Sequence, residues 1–278
     1  MIEGISVDPK QNHFTPAERQ GILDQLLAAL GEDPRVAGVL VVGSGAEGFE
    51  DVYSDVDLCV VIDQAQNVQP AFREWGEKFR ASLPVFYCGE SIRGPNSYLW
   101  VLLLDNFLEI DAGFLCLDDL SARRGRWKTA FDRSGKIEDI MRTSWANRTG
   151  PDLHESYGRR VNWVWHNVIH ATIAAQRGQW WKALYELEQV RNQAIELRGL
   201  REGLETKRFR HVDRMSGEFL ADVGQTLVAR LGTAEIMRAL RAATGCFFDE
   251  ARRMDEMLEL DLAGRFEGKM LEYLELFQ

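Results

Sequence analysis

The sequence predicts an α+β chain, a small α/β domain followed by an α-helical bundle, and three observations carry that expectation. Short β-branched apolar runs, alternating with helical segments, occupy the first 120 of its 278 residues. From there on, apolar residues recur only at helical spacing. Charge divides the chain at the same place: residues 1–120 hold 7 Lys+Arg against 20 Asp+Glu, and residues 121–278 hold 26 against 23. The expected domains are therefore 1–120 and 121–278.

The elements follow in order. Residues 16–30 place Ile22, Leu23, Leu26, Leu27 and Leu30 on one helical stripe, with Pro16 in the first turn and Gly31 past the end. Val36–Val42 and Val56–Ile62 are compact, β-branched runs of buried-strand type, and 85–87, 99–104 and 107–115 are further strand candidates. A helix over 71–82 separates two of them, giving a sheet that helices cover. Beyond Leu120, helices are expected over 154–177, 179–197, 215–231, 233–243, 247–260 and 264–276, a bundle. Residues 199–212 form a basic connection and 148–153 a turn-rich one.

Composition excludes several classes. A net charge of -10 argues against a dedicated nucleic-acid binder, which needs clustered cations to neutralise phosphates. Four scattered cysteines, Cys59, Cys88, Cys116 and Cys246, suggest neither a disulfide framework nor a zinc site. The first residues lack a leader pattern and no apolar run is long enough to span a membrane, so a cytoplasmic location is expected.

The chemical signal lies in the first domain. Val39–Val42 runs into Gly43-Ser44, with Gly48 following. Glycine lets an anion approach the backbone N–H groups closely, so the turn is a candidate phosphate seat. Asp55 and Asp57 open the next strand, and residues two apart in a strand project to one face. Paired carboxylates suit a hard cation such as Mg2+ that also holds substrate phosphates. Glu109 and Asp111 share a face of an otherwise apolar strand, where unpaired acids are costly and a bound metal supplies a reason for them.

Gly43-Ser44, Asp55-x-Asp57 and the acidic strand with Asp111 resemble the polymerase-β-type nucleotidyltransferase superfamily. Within it, an α/β domain followed by a helical bundle is similar to the aminoglycoside and lincosamide nucleotidyltransferases. The resemblance implies a mixed sheet, a nucleoside triphosphate cosubstrate with ATP expected, and Mg2+. It implies that Gly43 and Ser44 hold the triphosphate, that Asp55, Asp57 and Asp111 bind metal, and that AMP passes to a small-molecule hydroxyl. Glu109 is the candidate general base, with the division of roles between Glu109 and Asp111 left open. Lys207, in the basic connection, is a candidate for the β and γ phosphates.

Acids surplus to the metal, Glu109 with Glu47, Glu186 or Glu188, favour an amine-bearing acceptor. Glu47, Glu50 and Asp51 lie in the spacer before Asp55, where they either meet such an acceptor or face water. Asp51, Asp63, Asp118 and Asp119 read as turn or cap residues. Trp163, Trp165, Trp180 and Trp181 read as bundle core, and His166 with His170 as core or interhelical hydrogen bonding. Two alternatives stay open: a noncatalytic nucleotide-binding or antitoxin-like module, and an RNA-tailing transferase. Partners are thus a small-molecule hydroxyl acceptor and no membrane, with nucleic acid disfavoured and the oligomeric state undetermined.

Overall fold

A computed structural model describes residues 14–49 and 51–277, which divide into two compact units between Thr149 and Gly150. The first unit is built on one mixed six-stranded sheet. Its strands are β1 (Val36–Val42), β2 (Val56–Ile62), β3 (Val85–Gly94), β4 (Ser97–Leu104), β5 (Glu109–Cys116) and β6 (Trp127–Asp132), in the spatial order β3-β4-β5-β2-β1-β6. Only β2 and β5 pair in parallel; the other neighbours are antiparallel.

Helices α1 (Pro16–Glu32) and α2 (Ala65–Ser82) cover one face of the sheet. Thr15 caps α1 through a reciprocal box with Glu18, which satisfies backbone donors that a helix start leaves orphaned. Val39, Val41, Val56, Leu58, Ile110 and Phe114 bury into that main core, together with Phe72, Trp75 and Phe79 of α2. Each such side chain contributes about 1.5–3 kcal/mol of burial. The opposite face carries a smaller core of Leu40, Val61, Leu120, Ala122, Ile137 and Met141, closed by α3 (Ile137–Ala146).

Both β6 and α3 lie beyond Leu120, where the sequence predicts no strand, so the sheet extends past the expected division at 120/121. The reason is physical. WKTAFD is an edge strand with exposed Lys128 and no β-branched apolar run, so it lacks the signature of the buried central strands. β3 likewise outruns its expected three residues, because its far half is edge backbone with exposed side chains.

The second unit contains α4 (Leu153–Gln176), α5 (Trp180–Glu202), α6 (Gly217–Gln225), α7 (Thr233–Leu258) and α8 (Gly264–Glu275); α4, α5, α7 and α8 share its main core, and Phe219 of α6 packs with Ile195, Val212 and Met215 in a smaller one. α7 is continuous where the sequence suggests a break at Thr244–Cys246. Thr244 donates its hydroxyl to Leu240 O at 2.8 Å and Gly245 has open space around it, so neither interrupts the helix. α6 is shorter than expected, starting at the Ser216 cap and ending at Gln225. No helix among the described residues is long and apolar enough to cross a membrane.

Asp33 ties the end of α1 to α2. Its buried carboxylate accepts from Arg35 Nε at 2.9 Å, Arg35 Nη2 at 2.7 Å and Trp75 Nε1 at 3.0 Å. The Arg35 hydrogen bonds hold its pKa well below the usual carboxylate range, against the opposing pull of burial. Since the folded pKa is depressed, the stabilisation is present above the unfolded value of about 3.9 and is lost as pH falls through the folded one. Asp33→Asn is expected to cost about 2 kcal/mol at pH 7, the scale of charge-assisted hydrogen bonds. Urea unfolding at pH 7 and in acid should show that difference shrinking as pH drops below about 4.

Candidate active site

The strand directions bring the predicted residues to one end of the sheet. Because β1 is antiparallel to β2 and β6, and β2 is parallel to β5, the end of β1 meets the starts of β2, β5 and β6. The pairing register then draws one row across five strands: Trp127, Val42, Asp57, Asp111 and Val101. Residues paired in register share a face, so Asp57 and Asp111 project together from strands about 4.8 Å apart. Their neighbours Val56, Leu58, Ile110 and Ala112 are buried on the other face. Glu109 pairs with Leu103, one step along from Asp111 on the same face, and is exposed. Asp55 stands half-buried just before β2.

Gly43 and Ser44 open a short 3-10 helix, Gly43–Glu47, directly after β1. Gly43 has φ +68, and a Cβ built on it would lie 2.2 Å from Asp57 Oδ2. The position therefore requires glycine twice, once for its backbone and once for the carboxylate packed against it. Gly45 is buried, and a Cβ there would meet Val41 and Phe49 at 2.9 Å. Ser44 is half-buried.

The spacer leading to Asp55 is held by a residue that sequence reasoning missed. Arg19 of α1 is 3% exposed; its Nη1 donates to Asp51 O and Ser54 O, each at 3.0 Å, and its guanidinium stacks 3.8 Å from the Phe49 ring centre. Its only sequence signal is a charge on the apolar side of a helix. Asp51 is the turn residue expected, accepting from Tyr53 N at 2.8 Å and Ser54 Oγ at 2.9 Å. Glu47 pairs with Arg126 at 3.4 Å, and Glu50 lies outside the described residues.

The field at this sheet end is acidic. Asp111 Oδ1 is buried without a hydrogen-bond partner among the described residues. Burial raises the Asp111 pKa, Glu109 and Asp55 raise it further, and Arg93 works in the other direction. An ionised carboxylate in such a position is costly unless a cation accompanies it. The donors are all hard oxygens, so the set fits a cation such as Mg2+ chemically. Among the described residues no three His, Cys, Asp or Glu side chains close into a metal-binding cluster.

Comparison with known proteins meets this geometry at its centre. The family model for the nucleotidyltransferase domain matches residues 23–87. This segment is similar to a nucleotidyltransferase domain. The matched stretch runs from α1 into β3, so it includes Gly43, Ser44, Asp55 and Asp57 and ends before Glu109 and Asp111. Among solved structures, the chain is similar to an aminoglycoside 6-adenyltransferase from Bacillus subtilis, at 12% identity and a TM-score of 0.45, covering 94% of this chain and 98% of that one. It is also similar to a nucleotidyltransferase-like protein from Exiguobacterium sibiricum 255-15, at 13% identity and a TM-score of 0.37, covering 94% and 87%. No curated protein matches the sequence.

The remaining candidates belong to the second unit, outside the matched segment. Lys207 sits in a short 3-10 turn, Lys207–Phe209, and is exposed. Glu186 accepts from Asn167 Nδ2 at 2.9 Å, and Glu188 is paired with Arg191. Three tryptophans expected in the bundle core are at its surface: Trp163, Trp180 and Trp181 are 58%, 39% and 77% exposed. Helical spacing reports a shared face but not which way that face turns, and here several of them turn outward. Trp165 does pack against the core, and His166 and His170 face each other with ring centres 4.1 Å apart.

Proposed function

We propose that the protein transfers a nucleoside monophosphate, AMP from ATP, to a hydroxyl of a small, amine-bearing molecule, with an aminoglycoside-like acceptor ahead of a lincosamide-like one. One observation carries this reading: Asp57 and Asp111 are register partners on one face, with Gly43 packed against Asp57. In the reaction the acceptor oxygen bonds to the α-phosphorus, the α–β bridging bond breaks, and pyrophosphate leaves. A divalent cation, when bound, neutralises phosphate charge and lowers the acceptor hydroxyl's pKa. Asp55, Asp57 and Asp111 are the residues that would hold it. Gly43 and Ser44 offer close backbone and hydroxyl contact to the triphosphate, and Glu109 takes the acceptor proton.

The acceptor class rests on charge and on the resemblance of the motifs. Glu109 is an exposed acid beyond those a cation consumes, and its field attracts amines and repels a polyanion such as RNA. The test offers the purified protein ATP and Mg2+ with aminoglycosides, lincosamides and a short RNA in parallel, and identifies products by mass. A nucleotidylated small molecule is expected; nucleotide added only to the RNA, or no transfer to any acceptor, would overturn the reading.

Glu109→Gln separates the base from the metal ligands. Turnover should fall by roughly 100-fold or more, the scale of general base catalysis, with Mg2+-dependent ATP binding nearly unchanged. Calorimetric titration of the variant checks it. Loss of Mg2+ binding as complete as in Asp111→Asn would make Glu109 a ligand instead.

A further inference from the structure

The chain between β5 and β6 crosses the acidic face. β5 runs parallel to β2, so it ends at the sheet end away from Asp57 and Asp111, whereas β6 begins with Trp127 opposite Val42, beside Gly43. Residues 117–126 must therefore return along the sheet toward the carboxylates. The path is anchored: Leu120 and Ala122 are buried in the smaller core, and Ala122 N donates to Ser144 Oγ at 2.9 Å. Gly125 packs so closely on Trp145 that a Cβ there would lie 2.8 Å from the indole. Between and beyond these anchors the segment exposes Arg123, Arg124 and Arg126.

Two of these cations have neighbours near the site. Arg123 is within electrostatic reach of Cys59, which lies two residues beyond Asp57 on the same face of β2. Arg126 pairs with Glu47, the last residue of the 3-10 helix that Gly43 opens. Neither Arg123 nor Arg124 has a carboxylate ion pair among the described residues. A site that gathers Asp55, Asp57, Glu109 and Asp111 repels a triphosphate unless positive charge faces it. Guanidinium groups supply that charge at any working pH and bind phosphate oxygens in a bidentate fork.

We propose that the Arg123-Arg124-Gly125-Arg126 loop is the polyphosphate-binding arm of this site, taking the β and γ phosphates of the nucleoside triphosphate in the role for which Lys207 is the sequence's candidate. The inference rests on the nucleotidyl-transfer reading. The loop also stabilises the negative charge that gathers on pyrophosphate as it leaves.

The test titrates the full chain with ATP, AMP and inorganic pyrophosphate in the presence of Mg2+. R123A/R124A should bind ATP and pyrophosphate at least 10-fold more weakly, change AMP affinity less than 2-fold, and keep its melting temperature. R123K/R124K, which keeps the charge, should recover part of the loss, and K207A should bind like the parent protein. If the parent binds ATP and R123A/R124A binds it equally, or if K207A carries the loss, the arginine proposal is overturned and the transferase reading survives. A parent protein that binds pyrophosphate through these arginines but no ATP sinks the transferase reading and keeps the anion site. A parent that binds neither overturns both.

Discussion

Asp111→Asn is expected to lower turnover by about 1,000-fold or more, equivalent to about 4 kcal/mol of transition-state stabilisation, while making the metal-free protein more stable. The two effects have one cause. Asp111 Oδ1 is buried without a partner among the described residues, and burial, Glu109 and Asp55 all raise the carboxyl's pKa. A folded pKa above the unfolded one means that the ionised group opposes folding at neutral pH, and that the opposition fades as both states become protonated. The neutral amide removes it, so the variant should be more stable than the parent at pH 7 without divalent cation, and the gain should vanish below about pH 4. Mg2+ with ATP should then stabilise the parent protein and not the variant, since only a ligand that binds the native state shifts the unfolding equilibrium. Urea unfolding with and without Mg2+ and ATP, alongside pyrophosphate release, tests both halves. A variant that is destabilised yet fully active would make Asp111 structural.

That trade between stability and chemistry explains what was legible in the sequence. β1 and β2 are readable residue for residue, because central strands with neighbours on both sides are short, largely apolar and rich in β-branched residues, too short for a helix of ordinary length. Asp57, Glu109 and Asp111 are readable because they break such runs, and a break in an apolar pattern has to be compensated by something. β6 and α3 escaped for the opposite reason: an edge strand and a half-exposed helix place few demands on composition. Arg19 escaped because its partners, Asp51 O and Ser54 O, are carbonyls supplied by a loop more than thirty positions away, which periodicity cannot report. The arginines at 123–126 look like solvated surface charge in sequence. Their interest comes from the strand register, which returns the chain across the acidic face.

Gly43→Ala should lower turnover by about 100-fold with only a modest loss of stability, through displacement of one carboxylate. The left-handed backbone at φ +68 costs a residue with a Cβ roughly 1–2 kcal/mol. The added methyl group would stand 2.2 Å from Asp57 Oδ2, far inside any real contact, so the carboxylate or the start of the 3-10 helix must shift. A displacement of about 1 Å in a positioning group is enough to cost about 100-fold in rate. Gly48→Ala is the matched control: it also has a left-handed backbone, φ +87, but nothing lies within 4 Å of its built Cβ. Both variants should therefore lose similar stability in thermal unfolding, with Gly48→Ala keeping turnover near that of the parent and Gly43→Ala losing it. If the two lose activity equally, strain in the loop sets the rate and the packing of Gly43 against Asp57 does not.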